Sequence, residues 1–291
     1  MTSHEGSRLG LLLDVDGPIA SPVTRTINIP EIAQLLVQLA GRGVPVVFNT
    51  GRSDAFLRDT VLPPLREAGL ADDTVLYGVC EKGAVWFRFT ASGIGEITVD
   101  PETSVPAGFS EWAEGVITSR FSETVFFDTT KRAMVSIEQH THVSSDDYLA
   151  LQPTIDRVFF DELVRLGHGV ERLDRVTSDA TGKVSFRIDP TIISTDIESV
   201  LLGKDRGARR AFELIGEDSE LPLEWRTLGD SRTDYAMADW LHERGYTVEH
   251  ADVRPSDGLL DRPYPVRTAG ELIHDEAGVV FLREWLELAG R

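Results

Sequence analysis

Cysteine is nearly absent. Cys80 is the one thiol in 291 residues, so no intramolecular disulfide can form and the chain suits a reducing compartment. Long apolar runs are missing as well: stretches such as Leu11-Leu12-Leu13 fall far short of the ~20 residues that a membrane span needs. The opening MTSHEGSRLG is polar and lacks the apolar core of a signal peptide. A cytoplasmic location with no membrane partner is the expectation. Positive charge is scarce too, with 29 Lys and Arg against 48 Asp and Glu and a formal net charge of −19. A field of that sign repels nucleic acid and anionic membranes, so no nucleic-acid partner is expected. An anionic ligand could bind only where local cations or a metal invert the field.

What is present is ordinary globular material. Hydrophobic residues make up 41% and charged residues 26% of the chain, which excludes a disordered or collagen-like polymer. The length suggests roughly two domains at about 150 residues each. Leu9–Leu13 reads as a buried strand that stops at an acidic loop, and Pro30 stands at a helix start with Ile32, Leu35, Leu36 and Leu39 at helical spacing. Val44–Phe48 and Thr74–Cys80 are further strand candidates. Residues 53–69 look helical but broken at Pro63-Pro64. Strands alternating with helices predict a parallel sheet with right-handed crossovers.

After Gly83 the style changes. Segments 84–90 and 94–99 flank Ala91-Ser92-Gly93 as a hairpin, a helix is expected near 109–121, and strands near 124–128 and 132–138. A helix over 153–167 and strands near 170–176 and 183–188 complete an antiparallel α+β block. From about residue 204 the alternating style returns, with a helix through Ala208–Ile215, a strand at Trp225–Leu228, a helix near 234–244, a strand at Thr247–His250 and a final helix around Val280–Trp285. The expected architecture is α/β: a discontinuous parallel-sheet core, residues 1–82 and 191–291, interrupted by an α+β insert over 83–190.

Polar residues gather at the predicted strand ends, where the ligand crevice of an open parallel sheet lies. Asp14 and Asp16 follow the first strand, Thr50, Gly51 and Arg52 the second, and Asp230 and Asp234 the late one, while Lys204 precedes the helix that re-enters the core. Several carboxylates in a small space repel one another, and a hard divalent cation relieves this; Mg²⁺, which prefers oxygen ligands, is the natural ion. One aspartate can then attack phosphorus while a carboxylate two residues away handles protons. A lysine, a threonine hydroxyl and loop N–H groups suit phosphoryl oxygens.

The ordered segments DVDGPI (14–19), NTGRS (49–53), LLGKDRGA (201–208) and LGDSRTDYAM (228–237) resemble the four motifs of the haloacid dehalogenase superfamily. The large insert resembles the cap of its Cof-like branch, which includes sugar-phosphate phosphatases, and the tail AGVVFLREWL is similar to that group as well. The resemblance implies a Rossmann-like core with an α+β cap and a Mg²⁺-dependent phosphatase acting on a small phosphomonoester, a sugar phosphate foremost. It makes Asp14 the nucleophile and Asp16 the general acid and base, whose backbone carbonyl also binds the metal. Thr50, the Gly51 loop and Lys204 hold the phosphoryl group, Arg52 reaches the substrate, and Asp14, Asp16, Asp230 and Asp234 form the metal site. A phosphomannomutase-like mutase and a non-catalytic binding protein of the same fold are the alternatives. Pro18 and Thr233 depart from the usual threonine and asparagine of the family, and Glu81-Lys82-Gly83 is similar to the E-N-G or E-H-G of its sugar enzymes.

Other residues read more plainly. His140 and His142 would share a face of a strand, which permits metal binding but suits a polar sheet face better without a third ligand. Gly182-Lys183 lacks the preceding glycine of a phosphate loop. Lys82, Lys183 and Arg187 either line a cationic cap face or are solvated sheet edges.

Overall fold

The computed structural model describes residues 9–173 and 175–290; the polar N-terminal stretch and the terminal residue of the expected core lie outside the described residues. The chain forms two compact units, one running to Thr98 and resuming at Gly203, the other Val99–Leu202. These divisions fall further along the chain than the sequence pattern suggests. The strand Val85–Thr90 pairs antiparallel with Leu76–Cys80 and so extends the first unit's sheet, while Ser194–Ser199 pairs with Phe186–Pro190 and Val135–Gln139 in the second.

The first unit is built on a nine-stranded sheet. Leu9–Leu13 lies at its centre, parallel to Val46–Asn49 on one side and to Glu224–Gly229 on the other. Leu76–Cys80 follows outside the former, and Thr247–Asp252 and Val266–Arg267 follow outside the latter, all parallel. The first strand is buried along its whole length, as expected of a strand covered on both faces. Chain connections leave it in opposite directions, so its carboxyl end is the topological switch point where a crevice opens.

Close packing accounts for particular residues. Trp225 is completely buried among Phe212, Ala211 and Leu241, and its ring stacks on Phe212 at 4.7 Å. Burial of side chains of this kind stabilises the unit by about 1.5–3 kcal/mol each. Gly10 on the neighbouring strand is glycine because a Cβ there would sit 2.7 Å from the Trp225 ring. Residues 54–67 are helical throughout. Ser53 caps their start, accepting from the Phe56 N–H at 3.4 Å, and Pro63-Pro64 do not break the run because a π turn at Leu57–Val61 precedes them. The wider turn re-registers the hydrogen bonds just before the two residues that have no N–H to give.

The second unit is a six-stranded sheet with the helices Phe109–Arg120 and Ser145–Arg165 packed on it. Phe109, Ile117, Tyr148 and Phe159 from the helices meet Ile137 and Ile197 from the sheet. The longer helix begins earlier than the 153 read from sequence: Ser144 caps it, accepting from the Asp147 N–H at 3.1 Å, and Pro153 is carried inside. Within this core Asp156 accepts from Arg172 at 2.6 Å and from Thr195 at 2.8 Å, so its buried carboxylate is fully engaged. Among the described residues no helix is long and apolar enough to cross a membrane.

Candidate active site

The loop after the central strand carries Asp14, whose N–H donates to the Leu228 carbonyl at 2.8 Å and so holds it against the neighbouring strand. The turn that follows needs Gly17: its φ is +92°, and a Cβ would approach the Asp230 carboxylate to 2.7 Å. The first and the late acidic motifs therefore touch through a glycine. Behind the loop, Gly278 of the C-terminal helix lies so near the Pro18 carbonyl that a Cβ there would be 2.1 Å from the oxygen. That contact accounts for the glycine of the AGVV run of the tail and gives the segment around Pro18 a structural use.

Lys204, the first residue of the helix Lys204–Asp218, is buried with its ammonium 2.5 Å from Asp14 Oδ1 and 2.8 Å from Asp234 Oδ1. It also donates to the Asn49 carbonyl at 2.8 Å, and the Asn49 amide returns a bond to the Lys204 carbonyl at 2.9 Å. The other Asp234 oxygen accepts from Asp230 N–H, Ser231 N–H and Ser231 Oγ, at 3.1, 2.9 and 2.8 Å. Ser231 also bonds Thr233 at 2.8 Å, so this threonine is absorbed into the turn.

Asp14, Asp230 and Asp234 each offer a carboxylate oxygen within 4.8 Å of the others. Three carboxylates against one ammonium leave two negative charges uncompensated, which a divalent cation matches. The strain shows in the protonation equilibria. Burial pushes Asp14 well above the usual carboxylate range despite the opposing pull of Lys204, and the charges on Asp234 and Asp16 add to the rise. Asp230 is raised to about 6 by burial and by Asp234, with Arg254 and Lys204 working the other way. Asp234 is buried too, yet Lys204 and Ser231 hold it below the usual range. Lys204 is buried as well, and the two carboxylates keep it firmly protonated. Without metal, Asp234 is the member of the pair that keeps its charge. The donor set fits a hard divalent ion: Asp14 and Asp230 are the oxygen donors to offer, while Asp234 has Oδ2 taken by three hydrogen bonds and Oδ1 facing the Lys204 ammonium, which places it as a support.

Asp16 stands apart from this cluster. Arg52 grips its carboxylate, and the guanidinium also lies over the Phe56 ring at 4.9 Å. Thr50 is buried, its Oγ1 accepting from the Arg52 N–H at 3.0 Å, which leaves its own proton to donate to a ligand. The Gly51 backbone lies beside Lys82, whose side chain a Cβ at Gly51 would meet at 3.7 Å.

The Glu81-Lys82-Gly83 triplet proves to be a buttress between the Thr50 loop and the helix of Lys204. All three residues have left-handed backbone, with φ of 49°, 54° and 97°. Glu81 N–H donates to Arg52 O, Lys82 N–H to Thr50 O, and Lys82 O accepts from Gly203 N–H, at 3.0, 3.1 and 2.9 Å. Gly83 must be small because a Cβ would sit 2.8 Å from the Gly207 nitrogen. Three consecutive left-handed residues, costly for the non-glycines, thus tie the Thr50 loop to the helix that carries Lys204.

Two residues beside Asp230 carry no motif. Arg254 Nη1 lies 4.0 Å and His274 Nδ1 3.8 Å from Asp230 Oδ2. Only the fold brings them in, one from the end of the strand Thr247–Asp252 and the other from the start of the helix His274–Leu288. The remaining candidates stay outside the cluster. The rings of His140 and His142 stack at 5.1 Å beyond the end of their strand and gather no third ligand among the described residues. Arg187 is committed to Glu198 at 2.6 Å and to the Leu202 carbonyl at 2.7 Å. Lys183 closes a turn, its N–H donating to Asp179 at 2.9 Å.

Comparison with known proteins places the fold. No protein-family model matches the sequence, and no curated protein matches it. Among solved structures the chain is similar to the C-terminal domain of Candida albicans trehalose-6-phosphate phosphatase, with a TM-score of 0.65 and 14% identity over 98% of this chain and 94% of that one. It is similar to a haloacid dehalogenase-like hydrolase from Bacteroides thetaiotaomicron, with a TM-score of 0.58 and 10% identity over 95% and 98%. It is also similar to Aspergillus fumigatus trehalose-6-phosphate phosphatase, with a TM-score of 0.52 and 18% identity over 97% and 94%. The chain has the fold of the haloacid dehalogenase-like hydrolases.

Proposed function

We propose that the protein is a Mg²⁺-dependent phosphatase of small phosphomonoesters, with sugar phosphates as the substrate class. The observation that carries this reading is the meeting of Asp14, Asp230 and Asp234 around Lys204 at the switch point of the sheet. When bound there, the divalent ion would neutralise the clustered carboxylates and draw negative charge from the phosphoryl oxygens.

The chain's own residues supply the rest. An Asp14 oxygen attacks phosphorus and the bond from phosphorus to the ester oxygen breaks; the departing oxygen takes a proton from Asp16. Asp16, now a carboxylate, removes a proton from water, whose oxygen attacks the same phosphorus. The bond from phosphorus to Asp14 then breaks, and phosphate leaves with Asp14 restored. Lys204 and the Thr50 hydroxyl hold phosphoryl oxygens throughout, which is most valuable as charge redistributes in the transition state. Arg52 orients Asp16, gripping both oxygens of the carboxylate form and, in the acid form, the oxygen that does not carry the proton. The second unit is proposed as the cap that selects the alcohol part of the substrate. The lone Cys80, buried in its strand, is consistent with a cytoplasmic setting.

The test is release of inorganic phosphate from p-nitrophenyl phosphate and from a panel of hexose and disaccharide phosphates, with Mg²⁺ and with EDTA. Metal-dependent release supports the reading. Phosphoryl transfer to a second sugar hydroxyl without net release would replace it by a mutase, and no turnover of any ester would end it.

A further inference from the structure

The geometry points to His274 as a positioning residue for the Asp230 carboxylate, acting on metal affinity through that side chain; the inference rests on the proposed metal site. His274 opens the C-terminal helix in a left-handed conformation, φ 51°. Its N–H donates to the Val253 carbonyl at 2.8 Å. One turn further on, Gly278 is seated against the Pro18 carbonyl of the Asp14 loop. The origin of the imidazole is thus fixed at two points on the strand ends that carry the site.

From that origin Nδ1 reaches to 3.8 Å of Asp230 Oδ2. This nitrogen is buried with no hydrogen-bond partner among the described residues, an unusual condition for a polar atom beside a carboxylate. The same Asp230 oxygen is walled by the Gly17 turn and faces Arg254 at 4.0 Å. A small rotation of the carboxylate closes the gap to His274, and such bonds are often long until the ligand is in place. Arg254 is less suited to this task. Its positive charge opposes a cation on Asp230, and it is already paired with Asp257 at 2.5 Å. An imidazole can donate an N–H without bringing a charge. Partners of this kind orient a ligating carboxylate and leave it free to bind.

The backbone conformation supplies the control. Glycine and asparagine both accept a left-handed φ, so H274G removes the imidazole without backbone strain and H274N restores a donor amide near the Nδ1 position. Binding of Mn²⁺ to the full-length apoprotein would be measured directly by calorimetry, alongside urea unfolding and the Mg²⁺ dependence of p-nitrophenyl phosphate hydrolysis. H274G is expected to weaken Mn²⁺ binding by about tenfold at an unchanged urea midpoint, and H274N to recover most of the loss. Wild-type Mn²⁺ affinity in H274G would overturn the inference. So would H274N binding as weakly as H274G, or loss of the fold in H274G, since each makes the imidazole structural. The proposed function fails separately: Mn²⁺ binding that depends on Asp230, with no ester hydrolysed, would sink the phosphatase and leave His274 in its role. Absence of Mn²⁺ binding in the wild type would overturn the inference.

Discussion

Arg52 holds the Asp16 carboxylate with two nitrogens, Nε and Nη2, each 2.9 Å from an oxygen. The fork is rigid because the guanidinium also rests on the Phe56 ring and the Arg52 N–H is bonded to Thr50. One side chain therefore couples the proposed acid to the phosphoryl-binding loop. Lysine carries the charge but cannot reproduce the two-point grip. We expect R52K to lower kcat/KM for phosphate release by about tenfold and R52A by about a hundredfold, the scale of a misplaced catalytic group. Steady-state kinetics on p-nitrophenyl phosphate check this, and an R52K enzyme with wild-type kcat/KM would remove the orienting role.

Asp14 is the carboxylate that the metal-free fold tolerates least, since burial holds it toward its neutral form. Asparagine has nearly its shape, lacks its charge, and leaves Lys204 paired with Asp234. D14N is expected to lose at least about a thousandfold in phosphate release, as removal of a covalent nucleophile does. Its thermal midpoint should equal or exceed that of the wild type, in keeping with functional groups that oppose stability. Residual turnover near the wild-type rate in a folded D14N protein would rule out Asp14 as the attacking group.

Much of this site is legible in the sequence because strand ends are legible. Short apolar runs that stop at Asp14, at Thr50 and at Asp230 place those residues on one rim as soon as the strands share a sheet, and the sheet order does the rest. Lys204 is legible only from its place in the motif order, yet it is the most enclosed cation of the site. The Asp16–Arg52 pairing could not be read, because no local pattern says which way a side chain turns in a loop. Arg254 and His274 are silent for a different reason: their proximity to Asp230 comes from packing of the last strand and helix. Where helices were misplaced the cause was proline. Pro63-Pro64 and Pro153 look like breaks, but a π turn and an earlier cap at Ser144 let both helices continue.

Lys204 is also the electrostatic keystone. Removing it strands two buried carboxylates in a space already short of positive charge. Breaking a buried pair from one side costs about 3–5 kcal/mol, and K204M should lose stability on that scale in urea unfolding at neutral pH without metal. The deficit should shrink as pH falls, because protonating Asp14 and Asp234 removes the stranded charge. A K204M protein as stable as the wild type, or one whose deficit grows in acid, would mean that the ammonium does not balance this cluster.

A buried imidazole and a half-buried carboxylate give the metal-free protein opposing responses to pH. His250 is fully buried, bonded to Thr227 at 2.7 Å, and burial lowers its pKa from 6.5 to about 4 against the pull of Asp234 and Asp252. The folded state then binds fewer protons than the unfolded one between these values, so the stability this residue contributes is lost as pH falls through that window. Asp230 is raised from 3.8 to about 6; the folded state binds more protons there, and its contribution is lost as pH rises through the window. Each shift corresponds to about 3 kcal/mol, so the two oppose one another between pH 4 and 6.5 in the wild type, and Asp14, also raised by burial, adds to the Asp230 side. H250N leaves the raised carboxylates Asp14 and Asp230 unopposed by this imidazole and should become less stable as pH rises from 4.5 to 6.5, whereas the double variant D14N/D230N leaves His250 without them and should become more stable over the same range. Urea midpoints in EDTA at the two pH values check both signs. Parallel pH profiles in the two variants would show that these side chains do not carry the opposing terms.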